Sequence, residues 1–216
     1  MAGGGIDDAV RRAPHFGGPA TIGRDQSVPE AILRYTHTKI VGVILVDIEP
    51  HNDERGFFAR TFCADEFAKH GLDSAVSQVN FAYNHVRGTL RGLRRQAPPH
   101  AEAKLVRCTR GAIFAAAVDI RPDSRTFGEH VTTELTSENR RALFLPPYVA
   151  HGFQTLSDDT EVMYQVGGPY EPTGEQGFRW DDPTFEIRWP LPITVISDKD
   201  ASWPLIAKTG RLCYRR

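Results

Sequence analysis

Several side chains in this sequence are of types that can do chemistry, and each has an ordinary reading beside the reactive one. Lys104-Leu-Val-Arg107 places two cations in an alternating strand pattern, where a solvated strand face is the ordinary reading. Arg55, in Glu-Arg-Gly-Phe-Phe, is either a free cation or a structural arginine paired with Glu54 or Asp53. Tyr164, in Glu-Val-Met-Tyr-Gln, is either a proton-bearing group or a core tyrosine with a satisfied hydroxyl. His85 lies near a turn and His100 in a proline-rich loop, so both read as solvent-exposed. His100 and Glu102 form an HxE pair, yet a first-row metal wants three or four N, O or S donors. Asp181 and Asp182, in WDDP, are paired acids, the residue types of a general acid–base pair. Cys63, Cys108 and Cys213 are odd in number and widely spaced. They imply neither a disulfide framework nor a CxxC site, and a reducing cytoplasm is the simplest address.

Other chemistries leave no trace. The chain holds no GxxxxGK[ST] or GxGxxG phosphate loop, no GxSxG elbow and no HExxH. With 26 basic and 27 acidic residues the net charge is −1, so no global basic field exists to hold nucleic acid. No apolar run approaches the roughly 18 residues of a membrane span. The opening MAGGGIDDAVRR lacks the apolar middle of a secretory signal.

The elements that must position these groups are mostly strands. Residues 1–37 are rich in glycine and proline and read as a flexible arm. One short helix is expected there, capped by Ser27, with Pro29 in its first turn and Ala31, Ile32 and Leu33 following. From Lys39 the texture becomes β. The runs IVGVILVDIEP, KLVRCTRGAIFAAAVDIRP (broken at Arg110-Gly111), HVTTELT, ALFLPP, GFQTLS and EVMYQV read as strands. Turn signals recur about every 8–12 residues, the spacing of a β-sandwich or barrel. One helix, Ala64 to His70, is closed by Gly71. The expected organisation is an arm over 1–37, then one β domain over 38–216 that ends in a C-terminal tail.

Five segments, in order, resemble the dTDP-4-dehydrorhamnose 3,5-epimerase family. They are DERGFFARTF (53–62), GTLRGLRRQ (88–96), AKLVRCTRGAIF (103–114), PPYVAHGFQTL (146–156) and WDDPTFEIRWP (180–190), the last continuing to SDKD (197–200). The resemblance implies an all-β double-stranded β-helix, the cupin jelly roll. It also implies a homodimer, no metal and no organic cofactor. The implied substrate is a nucleotide-linked 4-keto-6-deoxyhexose, as used in deoxysugar or other secondary metabolism. Such chemistry removes a proton beside a ketone, holds the enolate, and returns a proton to the opposite face.

By that resemblance, Tyr164 matches a proton donor, Lys104 the lysine near the ketone oxygen, and Asp200 the aspartate that orients a histidine base. Arg55 and Arg91 match diphosphate-binding arginines, and Gln78 and Asn80 match polar pocket residues. His151 and Lys199 match active-site residues whose part in the reaction is open.

Four positions depart from the family pattern. Arg94 stands where the family carries the base, the histidine of LRGLH. Ala115 replaces an acidic residue, Arg60 a glutamate, and Pro169 a tyrosine. Arginine keeps its proton up to a pH above about 12 and cannot serve as a base at neutral pH. Altered chemistry is therefore expected, either single-site epimerisation or repurposed isomerase or cyclase chemistry on another, anionic natural-product substrate. Arg94 either pairs with Asp200 or binds a substrate anion, and the second option extends the partners to other anionic metabolites. Ligand binding without turnover is the reading from another class.

Overall fold

A computed structural model describes residues 32–206 of the chain. Cys213, most of the expected arm, and Ser27, Pro29 and Ala31 of its expected helix lie outside these residues. In chain order the described residues form β1 (Leu33–His37), β2 (Ile44–Ile48), β3 (His51–Asp53), β4 (Gly56–Phe58) and α1 (Ala64–Lys69). There follow β5 (Gln78–Asn84), β6 (Thr89–Gln96), β7 (Lys104–Arg110), β8 (Ala112–Asp119) and β9 (His130–Thr136). The chain continues with β10 (Ala142–Leu145), β11 (Val149–Thr155), β12 (Thr160–Val166), β13 (Glu175–Gly177), β14 (Val195–Ile196) and α2 (Asp198–Ala201).

Two large sheets organise these strands. One has the order β1-β2-β10-β7-β12-β5. The other has the order β13-β6-β11-β8-β9, with β14 added in parallel to β6. The non-consecutive neighbours are the crossovers of an all-β jelly roll, the fold expected from the sequence. The break at Arg110-Gly111 falls where it was expected. Gly111 has φ +76° between β7 and β8, a backbone region that L side chains enter at a cost.

Differences lie at the ends and between the strongest strands. Leu33, expected in a helix, opens β1 and pairs with Ile48. The domain therefore begins before residue 38, and the arm expected over 1–37 loses its last five residues to the sheet. The apolar run from Ile40 becomes a strand only at Ile44, because Gly42 turns the chain at φ +87°. Strands β5 and β6 were not legible, and neither was α2. Helix α2 is started by the Ser197 hydroxyl, which accepts the backbone N–H of Asp200.

Three apolar layers hold the sheets. Val106, Cys108, Leu143 and Val162 of the first sheet meet Ile113, Ala115, Ala117 and Phe153 of the second in the central core. Outside the first sheet, Phe67 of α1 packs with Ile44, Val46, Leu105 and Phe144. Outside the second, Phe178 and Phe185 cover Ala116, Val118 and Ala150. Strand β8 is thus covered on both faces. This explains its continuous Ala-Ile-Phe-Ala-Ala-Ala-Val run, where one solvated face would give alternation.

Candidate active site

The site grows from an irregularity in the second sheet. In a regular strand, Arg91 and Arg94 would point to opposite faces, since they are three residues apart. The pairing of β11 with β6 shifts register between His151 and Phe153, so His151 faces Arg94 and Phe153 faces Arg91. Gly92, at φ +100°, absorbs the extra residue. A Cβ there would come within 2.6 Å of the His151 carbonyl oxygen, so the close approach of β6 and β11 requires glycine. Both arginines consequently reach one cavity.

That cavity has a volume of about 210 Å³. Arg91, Gly92 and Arg94 of β6 line it, with His151 and Phe153 of β11, Lys104 of β7, Tyr164 of β12 and Ala82 of β5. Gln78 and Asn80 share the face of Ala82 by the period of two along β5, and Asn80 pairs directly with Tyr164. Arg91 is fixed by its Nε, which donates to Asn84 Oδ1 at 2.6 Å. Lys104 Nζ sits 3.2 Å from Glu102 Oε1. Burial pushes the Glu102 carboxyl up, and Lys104 only partly offsets this. The Tyr164 hydroxyl makes no hydrogen bond among the described residues, and burial raises its pKa above the ordinary phenol value despite Arg91 and Arg94. The Tyr164 and His151 rings stand edge to face, with centroids 6.2 Å apart. His151 is 8% exposed, and its Nε2 has no hydrogen-bond partner among the described residues. Burial, then Lys104, lowers its pKa to about 3, so the imidazole is neutral.

Arg94 is engaged by carboxylates. Its Nε and Nη2 donate to the two oxygens of Asp200 at 2.6 and 2.8 Å, a bidentate pair. Its Nη1 lies 3.0 Å from Glu175 Oε1, a charge contact without hydrogen-bond alignment. Glu175 also accepts Lys199 Nζ at 2.5 Å and the Tyr170 hydroxyl at 3.0 Å. Burial raises the Asp200 carboxyl, but Arg94 outweighs it and the net shift is downward. Of the two fates open to Arg94 in the sequence, this geometry displays the pair with Asp200.

Gln78 and Asn80 share the face of Ala82 without lining the cavity, and two further expected site residues stand elsewhere. The Arg55 side chain is 84% exposed on the β3–β4 hairpin and pairs with Asp53, not with the cavity. Lys199 does not line the cavity either; it is tied to Glu175 and lies over the Trp203 ring. Arg60 holds Glu66 of α1 at 2.6 Å. Asp182 organises a turn by accepting the backbone N–H groups of Thr184 and Ile206. Glu175 and Glu102 were missed by sequence reasoning. Glu175 lies in a three-residue strand with no pattern of its own, and Glu102 was read only as half of an HxE pair. Among the described residues no three His, Cys, Asp or Glu side chains gather as metal donors, and no helix is long and apolar enough to cross a membrane.

An antiparallel jelly roll with two arginines, a lysine, a tyrosine and a neutral histidine around one cavity defines a cupin of the small-molecule-binding class. The family model described as dTDP-4-dehydrorhamnose 3,5-epimerase matches residues 37–208. The dTDP-4-dehydrorhamnose 3,5-epimerase of Sinorhizobium fredii is 42% identical over 170 residues, covering 78% of this chain and 87% of that protein. The crystal structure of the enzyme of that name from Elizabethkingia anophelis superposes with a TM-score of 0.79 at 31% identity, covering 83% of this chain and 98% of that one. The 3'-monoepimerase ChmJ of Streptomyces bikiniensis, solved with dTDP-quinovose, gives 0.76 at 32% identity, covering 81% and 89%. The chain belongs to the dTDP-4-dehydrorhamnose 3,5-epimerase family, a family of isomerases.

Proposed function

We propose that this protein binds a nucleotide-linked 4-keto-6-deoxyhexose and moves a proton at one carbon beside the ketone, by chemistry altered from the family's two-carbon inversion. The observation that carries this reading is the bidentate Arg94–Asp200 pair. It occupies the position of the family's base with a group that keeps its proton. In this reading Arg91 binds the diphosphate, Lys104 stabilises the enolate oxygen, and Tyr164 returns the proton. Gln78 and Asn80 line the sugar or nucleotide end, and Asp200 holds Arg94. The reaction of the Streptomyces bikiniensis relative, a 3'-monoepimerase, supports a one-carbon outcome. Ligand binding without turnover is the second reading, and it draws on the same ion pair.

Incubation with dTDP-4-keto-6-deoxyglucose in D2O separates the two. Deuterium at C3 or C5 is the expected result. Binding without deuterium at either carbon would sink the altered-chemistry reading and leave the binding one. In the same assay Arg94→His is expected to raise incorporation about tenfold or more, because an imidazole beside Asp200 is a base at neutral pH. An unchanged or lower rate would show that the ion pair is not what limits proton removal.

A homodimer also belongs to this reading. Val79 is 52% and Phe81 62% exposed on β5, which is an edge strand of the first sheet. Apolar side chains on an unpaired edge call for a partner surface. Light scattering is expected to give twice the chain mass, and Phe81→Asp to shift the protein toward the monomer. A monomeric wild-type protein would end this reading.

A further inference from the structure

His151 is, with the Tyr164 hydroxyl, a cavity-lining group whose hydrogen-bonding capacity is left open among the described residues. Its side chain is over nine-tenths buried, and Nε2 meets no donor or acceptor among the described residues. A buried polar atom of this kind costs stability unless a ligand completes it. Its neighbours explain the vacancy. Strand β8 runs beside it and presents only Ala115 and Ala117 on the facing side, with Ala117 directly opposite. Strand β7 presents Lys104 and β6 presents Arg91 and Arg94, which only donate, while the Tyr164 hydroxyl of β12 can donate or accept and makes no hydrogen bond to His151. No carboxylate lies among the cavity-lining residues; the nearby Asp200 and Glu175 are held by Arg94, and Glu102 is held through one oxygen by Lys104 with its other oxygen unpaired.

We propose that His151 is the proton acceptor of this site, taking over the part that Arg94 cannot play. The proposal rests on the nucleotide-sugar reading above. The imidazole nitrogen takes the proton from the carbon beside the ketone as that C–H bond breaks. The bonding pair moves into the C–C bond, and the ketone oxygen gains the negative charge beside Lys104. The imidazolium so formed lies next to the enolate, which offsets the cost of charging a buried ring. Tyr164, whose ring stands edge-on to His151, gives its proton to the carbon and is left as tyrosinate. Proton exchange through solvent then returns the imidazolium proton to the tyrosinate, so the site is restored with no net gain or loss. A base must be unprotonated at the start, and among the cavity-lining residues His151 is the side chain that is both neutral and able to accept a proton.

The test is deuterium exchange from D2O into dTDP-4-keto-6-deoxyglucose by the full chain, with dTDP affinity measured by calorimetry alongside. His151→Gln and His151→Ala are expected to lower exchange at least about a hundredfold while dTDP affinity stays within about threefold. Added imidazole is expected to restore exchange in His151→Ala, which a merely structural histidine would not allow. The wild-type protein needs no variant for its own check. With protonation of His151 displaced to about pH 3, its exchange rate should stay flat as the pH falls through the range in which an ordinary histidine charges. Exchange that persists in both variants, imidazole without effect in a variant that still binds dTDP, or a wild-type rate that falls through that range would overturn the proposal and leave the nucleotide-sugar reading intact. Wild-type protein that binds dTDP yet exchanges no deuterium at any pH would overturn both.

Discussion

Tyr164→Phe is expected to lower turnover of the keto-sugar by about 10²- to 10⁴-fold, the range over which a positioned general acid contributes. Tyr164 lines the cavity and its hydroxyl makes no hydrogen bond among the described residues, so its removal leaves no protein group unpaired. The ring itself packs against the central core from β12, and phenylalanine preserves that contact. Stability and dTDP affinity should therefore change little, and the loss should appear in kcat. The raised Tyr164 pKa has a consequence for pH dependence. A phenol raised by burial keeps its proton above the ordinary value near 10, so Tyr164 stays protonated over the whole working range. The alkaline limb of a rate profile should not bend at the ordinary tyrosine value. A Tyr164→Phe enzyme with undiminished kcat would assign the proton return to another donor.

Asp119→Ala is expected to destabilise the domain by about 3–5 kcal/mol, the cost of removing one partner from a buried ion pair. Asp119 ends β8 with its side chain fully buried. It accepts Arg121 Nε and Nη2 at 2.8 and 2.7 Å, and the Ser124 and Thr126 hydroxyls at 2.6 Å each. One carboxylate thus organises the loop from β8 to β9, and alanine would strand a guanidinium and two hydroxyls. Burial pushes the carboxyl up, but Arg121, then Ser124 and Thr126, outweigh it and hold it well below the usual carboxylate range. A carboxylate depressed on folding gives stability that is whole above the ordinary aspartate value of about 3.9. That stability is lost as the pH falls through the depressed folded value. Urea unfolding at neutral pH should show the full difference between wild type and Asp119→Ala, and the gap should narrow in strong acid. A difference below about 1 kcal/mol at neutral pH would mean the loop is held by other contacts.

The reading of Arg94 changes what an experiment on this site has to ask. A guanidinium with three nitrogens engaged by Asp200 and Glu175 has little left to offer a substrate anion. Arg91, by contrast, carries its charge into the cavity while Asn84 fixes its orientation. The two arginines sit on one strand and face one space, yet they differ in pairing because only Arg94 meets buried carboxylates.

The sequence by itself determined the strands whose apolar pattern is strong and the turn between β7 and β8. Burial of side chains needs runs such as Leu-Val-Arg-Cys and Ala-Ile-Phe-Ala, and these are readable without coordinates. It also carried the family through five ordered segments, and it marked Arg94 as the departure that matters. Strand β5 escaped notice because it lies at a sheet edge with Val79, Phe81 and Tyr83 exposed, so it lacks the inward apolar signal of a core strand. Strand β6 escaped because its register shift at Gly92 breaks the period of two. Only the tertiary structure decided that Arg91 and Arg94 face the same cavity and that Arg94 is neutralised by groups 81 and 106 residues away in sequence. It also decided that His151 is buried with a nitrogen unpaired. Ion pairing and desolvation depend on distances between strands that are far apart along the chain, and residue order alone does not encode those distances.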